Sequence, residues 1–428
     1  MSQDILVVGS GVGGATLAKE LSKKGEKVTI LEAGAYPKIG TERRALNYFT
    51  GGLWGPGEFS TDNVEILRTR IVGGSSVVTI GNGVRTSQNE FKSNGIELEE
   101  EFQEAERELN ITTCPEKNMG QRTKLLLKAS EELGYTNKPM PKFIDFSKCT
   151  GCGNCGIGCI YGAKWTSRDY IGIAYKYGTK LLTNHHVQEV LYNGDQVLGV
   201  KVRTPNGVKE IESSKVILAA GGLGTPVILQ KSGIEAGSHL FADTLINTFG
   251  VKRNANFSSE LGMATIIDEF HDTEGYILSP FMEGPLDLLT DRIPLLRKIG
   301  VRNYSKLIGV MTKITDLPNG RIYPDGSFEK PMLRVDREKI DKGFSRSRLM
   351  LEAAGVDPKS IFCTHIRAGH PGGTAGVGRV VNKELETEVS GLYVCDCSVF
   401  PVTPGKPPVL TIISLAKYLA KQFFTPNR

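Results

Sequence analysis

Residues 4–8, Asp4-Ile-Leu-Val-Val8, form a short apolar run, the pattern of a parallel strand buried on both faces. Glycines follow in Gly9-Ser-Gly11-Val-Gly-Gly14, and residues 15–24 then carry apolar positions at helical spacing up to Gly25. Lys27-Val-Thr-Ile-Leu-Glu32 predicts a second strand that ends at the acid. Strand, glycine turn, helix and strand in this order predict a unit that binds a dinucleotide. Gly9 permits the sharp turn, Gly11 lets the backbone approach a pyrophosphate, and Gly14 lets the helix pack on the strand. The helix start faces the phosphates with free N–H groups, and Glu32 stands where ribose hydroxyls can donate to it. The alternative is that the glycines serve only helix–strand packing.

Further along, Arg70-Ile-Val-Gly73-Gly74-Ser75-Ser76 with Asn82-Gly83 forms a second glycine–serine loop suited to backbone contact with phosphate or flavin. The apolar stretch 216–229 begins as Val216-Ile-Leu-Ala-Ala-Gly-Gly-Leu-Gly-Thr225-Pro226 and predicts a strand, a tight turn and a helix ending near Ser232-Gly233-Ile234. Its glycines and proline break it, and it is too short for a transmembrane helix. Near the carboxyl end stand His370-Pro-Gly-Gly373-Thr374, then Gly391-Leu-Tyr-Val-Cys-Asp396-Cys-Ser398-Val-Phe-Pro401, then Pro408-Val-Leu-Thr411 leading into a last helix. Residues 236–364 are irregular and interrupted by proline and glycine. Within them Pro285–Ile299 mixes apolar and charged positions around Pro294, as a kinked core helix, an apolar lid or a membrane-touching segment would.

Composition changes this picture in three ways. The 50 glycines exceed the usual share of about 7% without a collagen-like period, which fits many tight turns and close approaches to a ligand. A net charge of +5 with no long basic run gives no reason to expect nucleic acid as a partner. Four of the eight cysteines, Cys149, Cys152, Cys155 and Cys159, fall in one short segment. Asp4 follows the start at once, with no basic patch or cleavage site. The expectation is a cytoplasmic protein, in which clustered cysteines point to a metal centre before a disulfide framework. Their spacing, C-x2-C-x2-C-x3-C, is the bacterial ferredoxin run, with Ile160 where proline is usual. Zinc would favour two separated pairs or histidine partners. Structural thiols or disulfides are the remaining reading.

Taken together, the motifs resemble those of the glucose–methanol–choline (GMC) oxidoreductase family. The resemblance rests on five of them in order: the amino-terminal fingerprint with its Glu-Ala-Gly ending, the GGSS loop, A-G-x-x-x-T-P, H-x-x-G-T and G-L-Y-V-x-D-x-S-x-x-P. It implies an α/β fold: a discontinuous Rossmann-like FAD-binding domain, residues 1–235 and 365–428, with an inserted α+β substrate domain, residues 236–364. The cysteine segment, 146–165, would lie in the first part. The implied FAD contacts are Gly9, Gly11, Gly14, Glu32, Gly73, Gly74, Ser75, Asn82, Val187, Asp396 and Ser398. Val187 would bracket the adenine with its backbone, and Asp396 would lie near the ribityl–phosphate region.

An alcohol must lose its hydroxyl proton as hydride leaves carbon for flavin N5, so the site needs a base near neutrality. The resemblance assigns that base to His370, which a structural reading would make a loop cap. Family members usually place a histidine or asparagine just before P-x-x-T. Here Pro407 stands there, and Lys406 or His365 would have to replace it. Sugar dehydrogenases of the family carry an iron–sulfur cluster on cysteines matching Cys149, Cys155 and Cys159. Cys152 is additional and favours a [4Fe–4S] over a three-iron cluster. Long-chain alcohol oxidases carry a similar segment with no clear need for iron.

The expectation is an FAD-dependent dehydrogenase acting on a small hydroxyl substrate, or on a carbonyl substrate in reverse. Electrons would leave singly through the cluster to a ferredoxin-like or other one-electron acceptor protein. The alternatives are an electron-transfer flavoprotein without its own small substrate, and a cluster-free oxidase or redox-neutral lyase.

Overall fold

The computed structural model describes residues 4–45, 48, 58–284, 288 and 304–424. Apart from Leu288, the segment 285–299 lies outside them. The apolar runs become a five-stranded parallel sheet in the order Leu392–Val394, Val216–Leu218, Ile5–Val8, Val28–Leu31 and Lys180–Leu182. Ile5–Val8 is central and buried at every position, as are its neighbours Val28–Leu31 and Val216–Leu218, which is why their sequences run apolar without alternation. Helix Val12–Lys23 packs against helices Ser167–Lys176 and Val409–Gln422. Segments far apart in the chain therefore complete one layer around the first glycine loop. A three-stranded antiparallel sheet, with Gln196–Thr204 in the middle, flanks this layer.

The second large sheet is mostly antiparallel and centres on Thr244–Val251 and Leu307–Ile314. It takes in Tyr276–Pro280 on one side and Arg367–Ala368, Glu65–Ile66 and Glu58–Phe59 on the other. Strands from both sides of 236–364 in the chain thus complete it. One face, with Ile246, Ile308, Val310 and Ile314, packs on helix Arg334–Ala353 through Ile340, Met350 and Leu351. The other face, with Leu245 and Met311, meets Met140, Met263 and Ile266. Both faces are covered, so Leu307–Ile314 is buried throughout.

The turn before Thr244 is fixed by Asp316, which accepts from the backbone N–H groups of Ala242 and Thr244 at 3.0 Å each and pairs with Lys330 at 3.0 Å. That turn carries Asp243 in the left-handed region, φ +54°. Among the described residues no helix is long and apolar enough to cross a membrane.

Candidate active site

The first glycine loop is built as its sequence requires. Gly9 has φ +103°, and a Cβ on it would lie 2.3 Å from the Ala219 carbonyl oxygen. A Cβ on Gly14 would lie 2.1 Å from the Gly9 oxygen, so the helix can close on the strand only with glycine there. Gly11 differs: nothing stands within 4 Å of a Cβ placed on it. Packing within the chain therefore requires glycine at positions 9 and 14 and sets no such limit at Gly11.

Glu32 ends its strand nearly buried and accepts from Ser10 N at 2.9 Å, Ser10 Oγ at 2.5 Å and Gly34 N at 2.7 Å. Burial raises its pKa, and these hydrogen bonds oppose the rise. His185 N donates to the Glu32 carbonyl at 2.8 Å, so the segment leading to buried Val187 lies beside the acid. The GGSS loop closes over the same place. Gly73 N donates to Ser10 Oγ at 3.0 Å, and a Cβ on Gly74 would stand 3.0 Å from Gly11 Cα. Ser75 Oγ accepts from Thr69 N at 3.2 Å. Asn82 is buried, its amide nitrogen 3.1 Å from Met263 Sδ.

Three further motifs meet at one node. Asp396 Oδ2 accepts from Gly221 N at 2.7 Å and Thr225 Oγ1 at 2.6 Å, while Oδ1 accepts from Ser398 N at 2.8 Å and Ser398 Oγ at 2.6 Å. A Cβ on Gly222 would lie 2.0 Å from the Pro371 oxygen, and Thr374 Oγ1 donates to Gly222 O at 2.8 Å. The turn after Val216–Leu218, the His370 loop and the Asp396 loop are thereby locked together. Cys395 and Cys397 pack inward on either side of Asp396, as small apolar side chains do.

His370 stands at that node with its Nδ1 3.0 Å from Asp243 Oδ2 and 2.7 Å from Lys313 Nζ. Asp243 is held in turn by Gly405 N, which donates to Oδ1 at 2.8 Å. No hydrogen bond occupies Nε2 among the described residues, and the His370 side chain keeps 22% of its surface exposed. Burial, then the Lys313 ammonium, push the imidazole pKa below its usual 6.5, with Asp243 opposing. The neutral ring with a free Nε2 is the form that can take a proton. Lys406 and His365, the expected replacements for a side chain at Pro407, face other partners: Lys406 pairs with Asp268 at 3.5 Å and His365 Nε2 with Glu65 at 2.8 Å. The charged neighbours of His370 are instead Asp243 and Lys313, which the motifs did not mark. One signal was available: Lys313 is the only charge in the apolar run Leu307–Ile314.

The four clustered cysteines line one hollow, together with Ile144, Tyr161, Ala163, Lys164 and Leu261. None is in a disulfide. Gly151, Gly153 and Gly158 have φ of +69°, +78° and +98°, which lets the loop wrap tightly. Cys114, distant in sequence, joins the same cluster of buried residues. Among the described residues no three His, Cys, Asp or Glu side chains converge to hold a single metal ion. The four cysteine residues line the hollow without forming such a ligand set.

Two buried lysines hold the segment 77–82 that follows the GGSS loop, and Lys164 also lines the hollow. Lys142 Nζ donates to Asn82 Oδ1 at 2.6 Å, Gly262 O at 2.9 Å and Ile80 O at 3.1 Å. Lys164 Nζ donates to Thr79 O at 2.7 Å, Val77 O at 2.8 Å and Cys155 O at 2.9 Å. Burial lowers both to about 8, with the neighbouring cysteines opposing.

Comparison with known proteins agrees with this architecture. The family models for the amino-terminal and carboxyl-terminal parts of GMC oxidoreductases match residues 3–257 and 332–416. An uncharacterised protein of Methanocaldococcus jannaschii is 29% identical over 424 residues, 98% of this chain and 99% of its own. A long-chain-alcohol oxidase of Arabidopsis thaliana is 24% identical across 96% of this chain and 66% of its own. The crystal structure of pyridoxine 4-oxidase from Mesorbium loti superposes over both full chains with a TM-score of 0.75 at 17% identity, a likeness of fold.

Proposed function

The chain belongs to the GMC oxidoreductase family and is an FAD-dependent oxidoreductase of CH–OH groups; within that class we propose that His370 is its base and that electrons leave singly through an iron–sulfur cluster. FAD, the cofactor of the family, suits the residues present. The opening at Gly11, the Glu32 carboxylate and the GGSS loop converge, and packing sets no demand for glycine at position 11. Gly9, Gly11, Gly14, Gly73 and Gly74 would offer backbone to the pyrophosphate and flavin, and Glu32 would accept from the ribose. Ser75, Asn82, Val187, Asp396 and Ser398 would complete the cradle.

When bound, FAD supplies a two-electron acceptor at flavin N5 for the hydride of the carbinol carbon. The protein's part is to hold and move the proton. In the Nδ1–H tautomer Asp243 would accept from His370, which leaves the lone pair on Nε2. Nε2 takes the hydroxyl proton of the substrate, and Asp243 stabilises the imidazolium that results. Pro407 has no side-chain donor or acceptor and no N–H, so His370 would carry the side-chain contact to the substrate oxygen.

The observation that carries this reading is the Asp243–His370 contact with Nε2 free. It is tested by mixing the anaerobic enzyme with a panel of alcohols and following the flavin absorbance. Wild type should be bleached by a substrate alcohol. His370→Asn, still loaded with FAD, should bleach about 10²- to 10⁴-fold more slowly. An equal rate in the variant would refute the assignment.

The electron exit rests on the cysteine hollow. Cys149, Cys152, Cys155 and Cys159, free of disulfides, at ferredoxin spacing and lining one hollow, would hold a [4Fe–4S] cluster, which would supply one-electron transfer. Such a cluster carries one electron at a time and would serve a ferredoxin-like acceptor. A cluster-free oxidase is the second reading, favoured by the long-chain-alcohol oxidase relative. Iron and sulfide content of protein purified without oxygen separates the two: about four irons per chain, or none.

A further inference from the structure

We infer that Lys142 and Lys164 are the built-in counter-charges of the group held by the four cysteines, and that Lys164 also ties that group's loop to the flavin loop. The inference rests on the iron–sulfur reading above.

Among the described residues, other buried lysines come with carboxylates. Lys19 pairs with Glu108 and Glu20, Lys313 with Asp243, Lys330 with Asp316, and Lys417 with Glu20 and Glu108. Lys142 and Lys164 are as deeply buried, and no carboxylate lies within ion-pair distance of either among the described residues. Their hydrogen bonds go to backbone carbonyls and to one side-chain amide, all neutral. Neutral acceptors satisfy the ammonium protons but leave the charge without an ion-pair partner, Asp169 acting on Lys164 only from beyond contact, and such a buried charge is costly. Two such charges side by side add repulsion, so the fold needs an anion at this place.

The four-cysteine hollow supplies it. Lys164 lines the hollow itself. Thiolates around an iron–sulfide core give the whole assembly net negative charge, and reduction adds more. The lysines would therefore favour the loaded state over the empty one, and the reduced cluster over the oxidised one. The position of Lys164 adds a second role. One ammonium donates both to Cys155 O and to the carbonyls of Val77 and Thr79, in the loop whose Gly74 abuts Gly11. This fixes the separation of the cysteine loop from the flavin loop.

The test uses wild type, Lys142→Gln, Lys164→Gln and the double variant, purified anaerobically with FAD and reconstituted with ferrous iron and sulfide. Three quantities are read: iron per chain, the cluster midpoint potential by electron paramagnetic resonance, and the melting temperature with and without iron. The expected result is crossed. Each substitution lowers iron content or moves the midpoint to more negative potential, the double variant most. Each also raises the melting temperature of the iron-free protein, because a buried charge without an ion-pair partner has gone. Iron content and midpoint equal to wild type in both single variants would overturn the inference and leave the cluster standing. So would iron-free variants that melt below wild type or fail to fold, since the lysines would then be structural braces. A midpoint change confined to the flavin would assign the two charges to FAD and overturn it as well. Wild type that takes up no iron would remove the cluster reading itself, a result distinct from the other three.

Discussion

Lys313 Nζ lies 2.7 Å from His370 Nδ1, the same ring nitrogen that faces Asp243 Oδ2 at 3.0 Å. One nitrogen cannot donate to the carboxylate and accept from the ammonium at once, so the two neighbours compete for the tautomer. With the proton on Nδ1, the Asp243 contact is made and Nε2 is a base. With the Lys313 contact made, Nε2 carries the proton and is a donor.

Asp243→Asn removes the carboxylate that selects the base form. Turnover should fall by about 10²-fold or more while FAD stays bound, because Asp243 touches the imidazole and not the cofactor loops. Stopped-flow flavin reduction beside an FAD absorbance ratio checks this. A variant that reduces its flavin at the wild-type rate would sink the orienting role.

The pH dependence follows from the sign of the His370 shift. Burial and Lys313 lower its pKa, so the ring stays neutral until the pH drops below about 6.5. Activity should hold as the pH falls to that point and be lost through a limb lying below it. A profile of kcat/KM against pH locates the limb, and a midpoint above 6.5 would contradict the environment described.

Lys313→Met deletes the positive neighbour and should move that acid limb to higher pH, since the charge acts to lower the imidazole pKa. A limb displaced to lower pH, or unmoved, would show that the ammonium is not felt at His370.

The glycine loop separates fold from ligand. Gly14→Ala forces a methyl to within 2.1 Å of the Gly9 oxygen and should cost roughly 1–3 kcal/mol of stability or more. Gly11→Ala meets no atom of the chain within 4 Å and should melt like wild type without FAD, yet bind FAD more weakly. Thermal melts and FAD titrations of the two variants give both answers. Equal FAD affinity in Gly11→Ala would place the pyrophosphate elsewhere.

Three of the five strands of the first sheet were legible because they are short apolar runs tied to glycine turns, where local sequence and packing make the same demand; Lys180–Leu182 and Leu392–Val394 were not read as strands. Ile5–Val8 and Val28–Leu31 stand where the pattern puts them, while the helix expected over 15–24 already starts at Val12, within the glycine run. The locking of Gly222 against Pro371 and of Asp396 against Gly221 was not legible, since those contacts join positions more than 140 residues apart. Asp243 escaped for a related reason. It reaches His370 only because Asp316, far along the chain, fixes the left-handed turn that carries it. The cysteine spacing announced a cluster of thiols, and Lys164 closes that same stretch, but Lys142 precedes it on another strand and its place beside the cysteines had no sequence signal.

The central claim is that electrons taken from an alcohol pass from the flavin to the cysteine hollow. The most direct measurement mixes anaerobically purified, iron-reconstituted protein with a substrate alcohol and records flavin absorbance and electron paramagnetic resonance on the same sample. The expected result is bleaching of the flavin together with a reduced-cluster signal, both lost in His370→Asn. Complete bleaching without a reduced-cluster signal in the iron-loaded sample, or a sample that takes up no iron, rules this path out.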